Sequence, residues 1–269
     1  ASVTFFFCSG SKKNDNNDTV AAEVREVSFF AESVGRKMHF NIVFPAQYQT
    51  TNKQFPVLYL LHGLTANYHQ WRELGIPEYA KRHNFIIVMP DGGNSWYVNW
   101  SESKKGQKNK WSDYITSDLV AYVDSHYRTI ARREGRAISG LSMGGYGAVM
   151  LGLKNPHLYC SVASHSGALT IAREWARALK NGKEPFVVWP NVRESDSRPF
   201  GIDVEGFTSQ KERTPQGIMI NSVEEAKKVD PFTIVTRVPR ESLPHIYLDC
   251  GTEDNLVSGE REFMELLRK

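Results

Sequence analysis

A series of short apolar runs, each bounded by turn residues, constrains the architecture of this chain more than any other feature. They are Val57-Leu58-Tyr59-Leu60-Leu61, Phe85-Ile86-Ile87-Val88-Met89, Ala137-Ile138-Ser139, Ser161-Val162-Ala163-Ser164 and Ile246-Tyr247-Leu248-Asp249-Cys250. Near-continuous apolar strands of this kind suit a sheet covered on both faces. Helical spacing lies between several of them: Trp111, Tyr114, Ile115, Leu119, Tyr122 and Val123 form one set, and Tyr146, Val149, Met150 and Leu153 another. Ahead of the series, residues 24–30 and 38–44 alternate as strands do, split by a turn around Gly35. The pattern predicts a mostly parallel α/β sheet with right-handed crossovers, led by two antiparallel strands.

The 269 residues are enough for one large domain, and the rhythm from residue 22 to 269 reads as one. Hydrophobic residues at 41% and charged residues at 23% exclude collagen-like, coiled-coil and wholly disordered chains. A formal charge of +3 gives no reason to expect a nucleic-acid partner. The densest basic stretch, Lys104 to Lys110, lacks interleaved aromatics and reads as a solvated loop. Three cysteines, Cys8, Cys160 and Cys250, show neither paired nor metal-type spacing.

Residues 1–21 differ in character. The apolar run Thr4-Phe5-Phe6-Phe7-Cys8 gives way to Lys12-Lys13-Asn14-Asp15-Asn16-Asn17-Asp18. This resembles the end of a bacterial lipoprotein signal, with Cys8 as the acylated residue, although Phe7 stands where that pattern wants a small residue. The expectation is a disordered leader or a membrane tether through Cys8, with export to the periplasm or cell surface and a cytoplasmic location as the alternative. Residues 171–220 break the strand–helix rhythm with Trp175, Trp189, Pro185, Pro190 and Pro199. They read as an insertion, either a lid or a decorated surface loop. After it, Ser222-Val223-Glu224-Glu225 matches a capping box opening a short helix that Pro231 should end.

The sharpest chemical signal is Gly140-Leu141-Ser142-Met143-Gly144, a G-x-S-x-G segment. A short apolar strand precedes it, and a helix with small residues in its first turns follows. In that setting the serine sits on a strained strand-to-helix turn that lifts its hydroxyl above the sheet, and the flanking glycines let two backbones approach without a Cβ clash. Such a site needs a second backbone N–H for the developing oxyanion, and His62-Gly63-Leu64-Thr65, directly after a strand, can supply it from Leu64. His62 reads as hydrogen-bonded beneath that loop. An acid should follow the serine in the chain. Asp254, past a late strand, fits better than Asp249 within it, with helix capping as its alternative role.

Together these residues resemble the esterase family that includes esterase D, tributyrin esterases, feruloyl esterases and mycolyltransferases. The matching stretches are His62 to Tyr68, Pro90-Asp91-Gly92-Gly93-Asn94-Ser95-Trp96-Tyr97, Gly140 to Gly147 and Asp249 to Asp254, in the family's order. The resemblance implies an α/β-hydrolase fold, with a mostly parallel central sheet flanked by helices and a lid-like insertion. It implies Ser142 as nucleophile, Asp254 as acid, and Leu64 and Met143 as oxyanion donors, without metal or organic cofactor. The expected substrate is a small-molecule or carbohydrate-linked ester; Trp96 and Tyr97 are candidates to line its pocket, with core packing the equal alternative for two aromatics after a strand. Related readings are an acyltransferase, a thioesterase of the S-formylglutathione type, and a non-catalytic carbohydrate-binding module. One departure stands out: the family's catalytic histidine lies beyond the acid and a helix, yet no histidine follows Asp254 here. The expectation is a sequence truncated before it.

Overall fold

In the computed structural model, residues 24–80, 82–104, 106–187 and 213–269 are described. The leader with Cys8, and residues 188–212 of the expected insertion, lie outside them. Strands β1 (Val24–Ala31) and β2 (Arg36–Val43) pair antiparallel around Gly35, whose φ of 64° explains a glycine at that turn. Strands β3 (Val57–Leu61), β4 (Ile86–Pro90), β6 (Arg136–Leu141), β7 (Ser161–His165) and β9 (His245–Asp249) follow the apolar runs to within a residue or two. The seven strands form one sheet in the order β1-β2-β4-β3-β6-β7-β9, antiparallel between β1, β2 and β4 and parallel from β4 to β9. A separate ribbon pairs β5 (Glu102–Ser103) with β8 (Gly217–Ile218). The parallel register sets Leu61, Gly140, Ser164 and Leu248 in one row, so the loops leaving β3, β6, β7 and β9 meet at one rim.

One face of the sheet is fully covered. Tyr59, Leu61, Ile138 and Val162 are buried in the main core, and helix α5 (Met143–Lys154) packs along β6 and β7. The helical spacing from Trp111 to Val123 forms α3 (Trp111–Asp113), a wider π turn over Tyr114–Leu119, and α4 (Val120–His126). On the other face α1 (Gln70–Glu73) and α2 (Ile76–Ala80) lie over the β2–β4–β3 half, where Val43, Leu60, Ile87 and Met89 form a second, smaller core. Among the described residues that cover stops at β3. Burial along β7 and β9 alternates, and Tyr247 is 50% exposed. Among the described residues, then, the sheet is covered on both faces only in part, with no helix over β7 and β9 on that side.

The stretch from residue 171 is more regular than its sequence suggests. Helix α6 (Ile171–Lys180) opens it and buries Ile171, Ala172 and Trp175. The prolines and charges farther along hide that helical spacing when the whole stretch is read together. Ser222 caps α7 (Val223–Lys228) as expected, accepting the Glu225 N–H at 3.2 Å. Pro231 does more than end that helix: it is the first residue of α8 (Pro231–Val235), capped by Asp230, which accepts the Phe232 and Thr233 N–H groups. Helix α9 (Val257–Leu267) closes the order.

Candidate active site

Ser142 is the single residue between β6 and α5. Its φ of 55° and ψ of −112° lie where side-chain-bearing residues rarely go, a conformation costing about 1–3 kcal/mol unless its surroundings hold it. They do. The Ser142 N–H donates to the His165 carbonyl at 2.9 Å, and its own carbonyl accepts from Tyr146 N–H at 3.0 Å and Ala168 N–H at 3.2 Å. A Cβ on Gly140 would meet the Gly144 backbone at 2.4 Å, and one on Gly144 would meet the Leu61 carbonyl oxygen at 2.4 Å. Both glycines are required by contact with backbone that cannot retreat. Ser142 itself is half-buried and lies outside the closed core.

The loop after β3 lies against this turn. A Cβ built on Gly63 would sit 3.8 Å from the Ser142 Cβ. The Gly63 N–H is taken by Gln70 Oε1 and the Thr65 N–H by Asn94 Oδ1, each at 2.9 Å. Between them stands the Leu64 amide. Met143 is the first residue of α5, where an N–H has no partner within the helix and the helix dipole favours negative charge. His62 is fully buried beneath the loop: its Nδ1 lies 2.7 Å from the Gly63 carbonyl, and its Nε2 accepts the Gly92 N–H at 2.8 Å. Asp91 Oδ1 also approaches Nε2, at 3.3 Å.

Arg213 fastens the same region from the far side of the insertion. Its Nη2 donates to the Ala66 carbonyl and to Asp91 Oδ1 at 3.1 Å, and its carbonyl accepts the Asn94 N–H. Burial alone would push the Asp91 carboxyl up; Arg213, His62 and the Gly93 N–H reverse this and hold it well below the usual carboxylate range.

The two candidate acids part company. Asp254 Oδ1 accepts the Leu256 N–H at 2.9 Å at the start of α9, the capping role weighed for it. Asp249 Oδ2 lies 2.7 Å from His165 Nδ1, and both side chains are partly exposed at the ends of β9 and β7. His165 is the cross-strand neighbour of Leu141, one residue before the serine.

A family model described as "Putative esterase" matches residues 31–267. The chain belongs to that esterase family. Over 243 residues it is 29% identical to Esterase Rv1288 of Mycobacterium tuberculosis, covering 89% of this chain and 51% of that protein. It therefore spans about half the length of this mycobacterial relative. It is 26% identical over 255 residues to an acetyl esterase of Caldicellulosiruptor saccharolyticus, covering 91% of this chain and 86% of that one. The structure of FphF, a fluorophosphonate-binding serine hydrolase of Staphylococcus aureus, superposes with a TM-score of 0.68 at 21% identity, covering 92% of this chain and 86% of that one. That likeness establishes a shared α/β-hydrolase fold.

Trp96 and Tyr97 are fully buried. Trp96 Nε1 donates to the Val187 carbonyl at 2.7 Å, and its ring meets Tyr146 and Trp175 edge to face. The Tyr97 hydroxyl donates to the His62 carbonyl at 3.0 Å. Their contacts are those of core residues holding the loop after β4, with no surface left for a substrate. Gln70, Asn94 and Arg213 were missed as contributors to the site. The Asn94 and Arg213 contacts span 29 to 147 residues of sequence, and no local pattern announces them. Among the described residues, no group of three His, Cys, Asp or Glu side chains is placed to hold a metal ion.

Proposed function

We propose that this chain carries a serine carboxylic-ester hydrolase site working through an acyl-enzyme. One observation carries the reading: a half-buried serine on a strained turn, flanked by the Leu64 loop and by the first amide of a helix. Ser142 Oγ attacks the ester carbonyl and gives its proton to an imidazole. The Leu64 and Met143 N–H groups take up the negative charge of the tetrahedral intermediate. Collapse expels the alcohol, which regains that proton, and water then releases the acid from Ser142 by the same route. The substrate is a small or sugar-linked ester, and the acetyl esterase among the relatives favours a short acyl group. Export with a lipid on Cys8 is part of the proposal; metabolic labelling with a palmitate analogue that persists in Cys8→Ala would end that part.

The proton acceptor has two readings. In the family pattern the histidine lies beyond Asp254, which would orient it, and residues 255–269 contain none. On that reading residues 1–269 hydrolyse p-nitrophenyl acetate only at the level of about 10³–10⁴-fold over water that binding and an oxyanion hole leave behind, and His165→Gln changes nothing. The 2.7 Å contact between Asp249 and His165 favours a second reading, in which this pair serves the serine directly. Readily measured turnover that His165→Gln abolishes would establish it. On this second reading Ser142→Ala must remove both turnover and fluorophosphonate labelling, whereas on the first the residual rate survives it. Readily measured turnover that survives Ser142→Ala sinks the serine mechanism, and the absence of both Ser142-dependent turnover and label points to a binding module.

A further inference from the structure

Glu260 stands on α9, yet it belongs to the surroundings of the serine. It is 5% exposed, and a single oxygen, Oε1, accepts two hydrogen bonds: from Ser164 Oγ at 2.7 Å and from the Gly167 N–H at 2.8 Å. Those donors flank His165 and Ser166 in the loop leaving β7. That loop is itself unusual. Ser166 has a φ of 44°, and a Cβ on Gly167 would lie 2.1 Å from Ser164 Oγ. It also supplies two of the three backbone contacts that hold Ser142, the His165 carbonyl on one side and the Ala168 N–H on the other. The loop is packed against the first turn of α5, since a Cβ on Gly145 would lie 2.9 Å from the Gly167 Cα. Glu260 Oε2 is buried with no partner among the described residues. A charge-bearing side chain kept in so dry a place costs the fold stability unless its hydrogen bonds are needed there.

We propose that Glu260 is a positioning residue for the nucleophile: it ties down the loop after β7, and that loop holds the backbone of Ser142 in its strained conformation. The chain of contacts runs from Glu260 Oε1 to Ser164 and Gly167, then through His165 and Ala168 to the N–H and C=O of Ser142. The ionisable groups facing it are Asp249 at the end of β9 and Cys250 and Asp254 in the loop that follows. Burial, with these two carboxylates, pushes the Glu260 carboxyl up to about 7, so the brace changes charge near neutrality. Glu260→Gln keeps an acceptor at the Oε1 position and cannot titrate.

The proposal rests on the reading of Ser142 as nucleophile only for its catalytic meaning, so the decisive measurement is amide hydrogen exchange, which needs no activity. In Glu260→Ala the Ser142 and Ala168 amides should lose protection by about tenfold, the size expected for removing a hydrogen bond to a charged acceptor, while the β3 amides stay within twofold of wild type. Glu260→Gln should restore that protection and abolish its dependence on pH between 6 and 8. Should Glu260→Ala fail to fold, Ser164→Ala removes one of the two donors and should give a smaller loss at the same two amides. Unchanged exchange at Ser142 and Ala168, or loosening shared equally by β3, overturns the proposal. Where turnover is measurable, Glu260→Ala should lower kcat with KM unchanged and Glu260→Gln should recover it. Loss of protection without any Ser142-dependent turnover would keep the brace and reject the reading in which His165 activates Ser142.

Discussion

Strain at Ser142 persists only because neighbouring atoms leave no other arrangement, and the tightest of these contacts involve Gly144. Its Cβ position lies 2.4 Å from the Leu61 carbonyl oxygen and 2.7 Å from that of His62. Gly144→Ala should therefore shift the serine turn away from the Leu64 loop, lowering stability by about 2 kcal/mol or more and abolishing fluorophosphonate labelling; urea denaturation and the probe together check it. Arg213→Met should cost about 3 kcal/mol, because it leaves the Asp91 carboxylate and the Ala66 carbonyl without their shared partner. Asp91 is held below its ordinary value, so its contribution is present above about pH 4 and fades as the pH falls. The cost of the mutation, read from urea midpoints, should shrink correspondingly in acid. At this scale the serine and both glycines were legible because their spacing is local and their geometry demands those residue types. Arg213 and Glu260 were not, because each acts on backbone more than ninety residues away in sequence. For Trp96 and Tyr97 pocket lining and core packing stayed equally open, because sequence carries no sign of which side of a loop an aromatic faces.

Among the elements, the strands were readable to within a residue or two because five-residue apolar runs bounded by turns have few other uses. Helix α6 was not, although Ile171, Ala172, Trp175, Ala176 and Leu179 recur at helical spacing. The paired caps of α7 and α8 show why Pro231 was half understood: a proline stops one helix and is favoured at the first position of the next. Asp230 accepts from the Phe232 and Thr233 N–H groups and from the Thr233 hydroxyl at 2.7 Å while 5% exposed. Asp230→Ala should lower stability by about 1–2 kcal/mol. The first amides of α8 should exchange faster while those of α5 do not.

For the molecule as a whole, Glu260 links stability to pH in the opposite sense to Asp91. Its value in the fold is raised from 4.5 to about 7, so the fold resists ionising it, and stability falls as the pH climbs through that interval. Relative to Glu260→Gln, the wild-type chain should lose up to about 3 kcal/mol between pH 4.5 and pH 8; melting temperatures of both proteins across that range test it. The sheet carries a second consequence at this scale. Among the described residues one of its faces has no helix above it beyond β3, and β9 is the outermost strand on that side. Water there touches Ala163 and Tyr247, and the outer rim of β9 presents amide and carbonyl groups spaced to accept another extended backbone. Residues 1–269 in isolation should therefore bind an apolar dye and self-associate as concentration rises, and Tyr247→Lys should weaken both without lowering the melting temperature of the monomer.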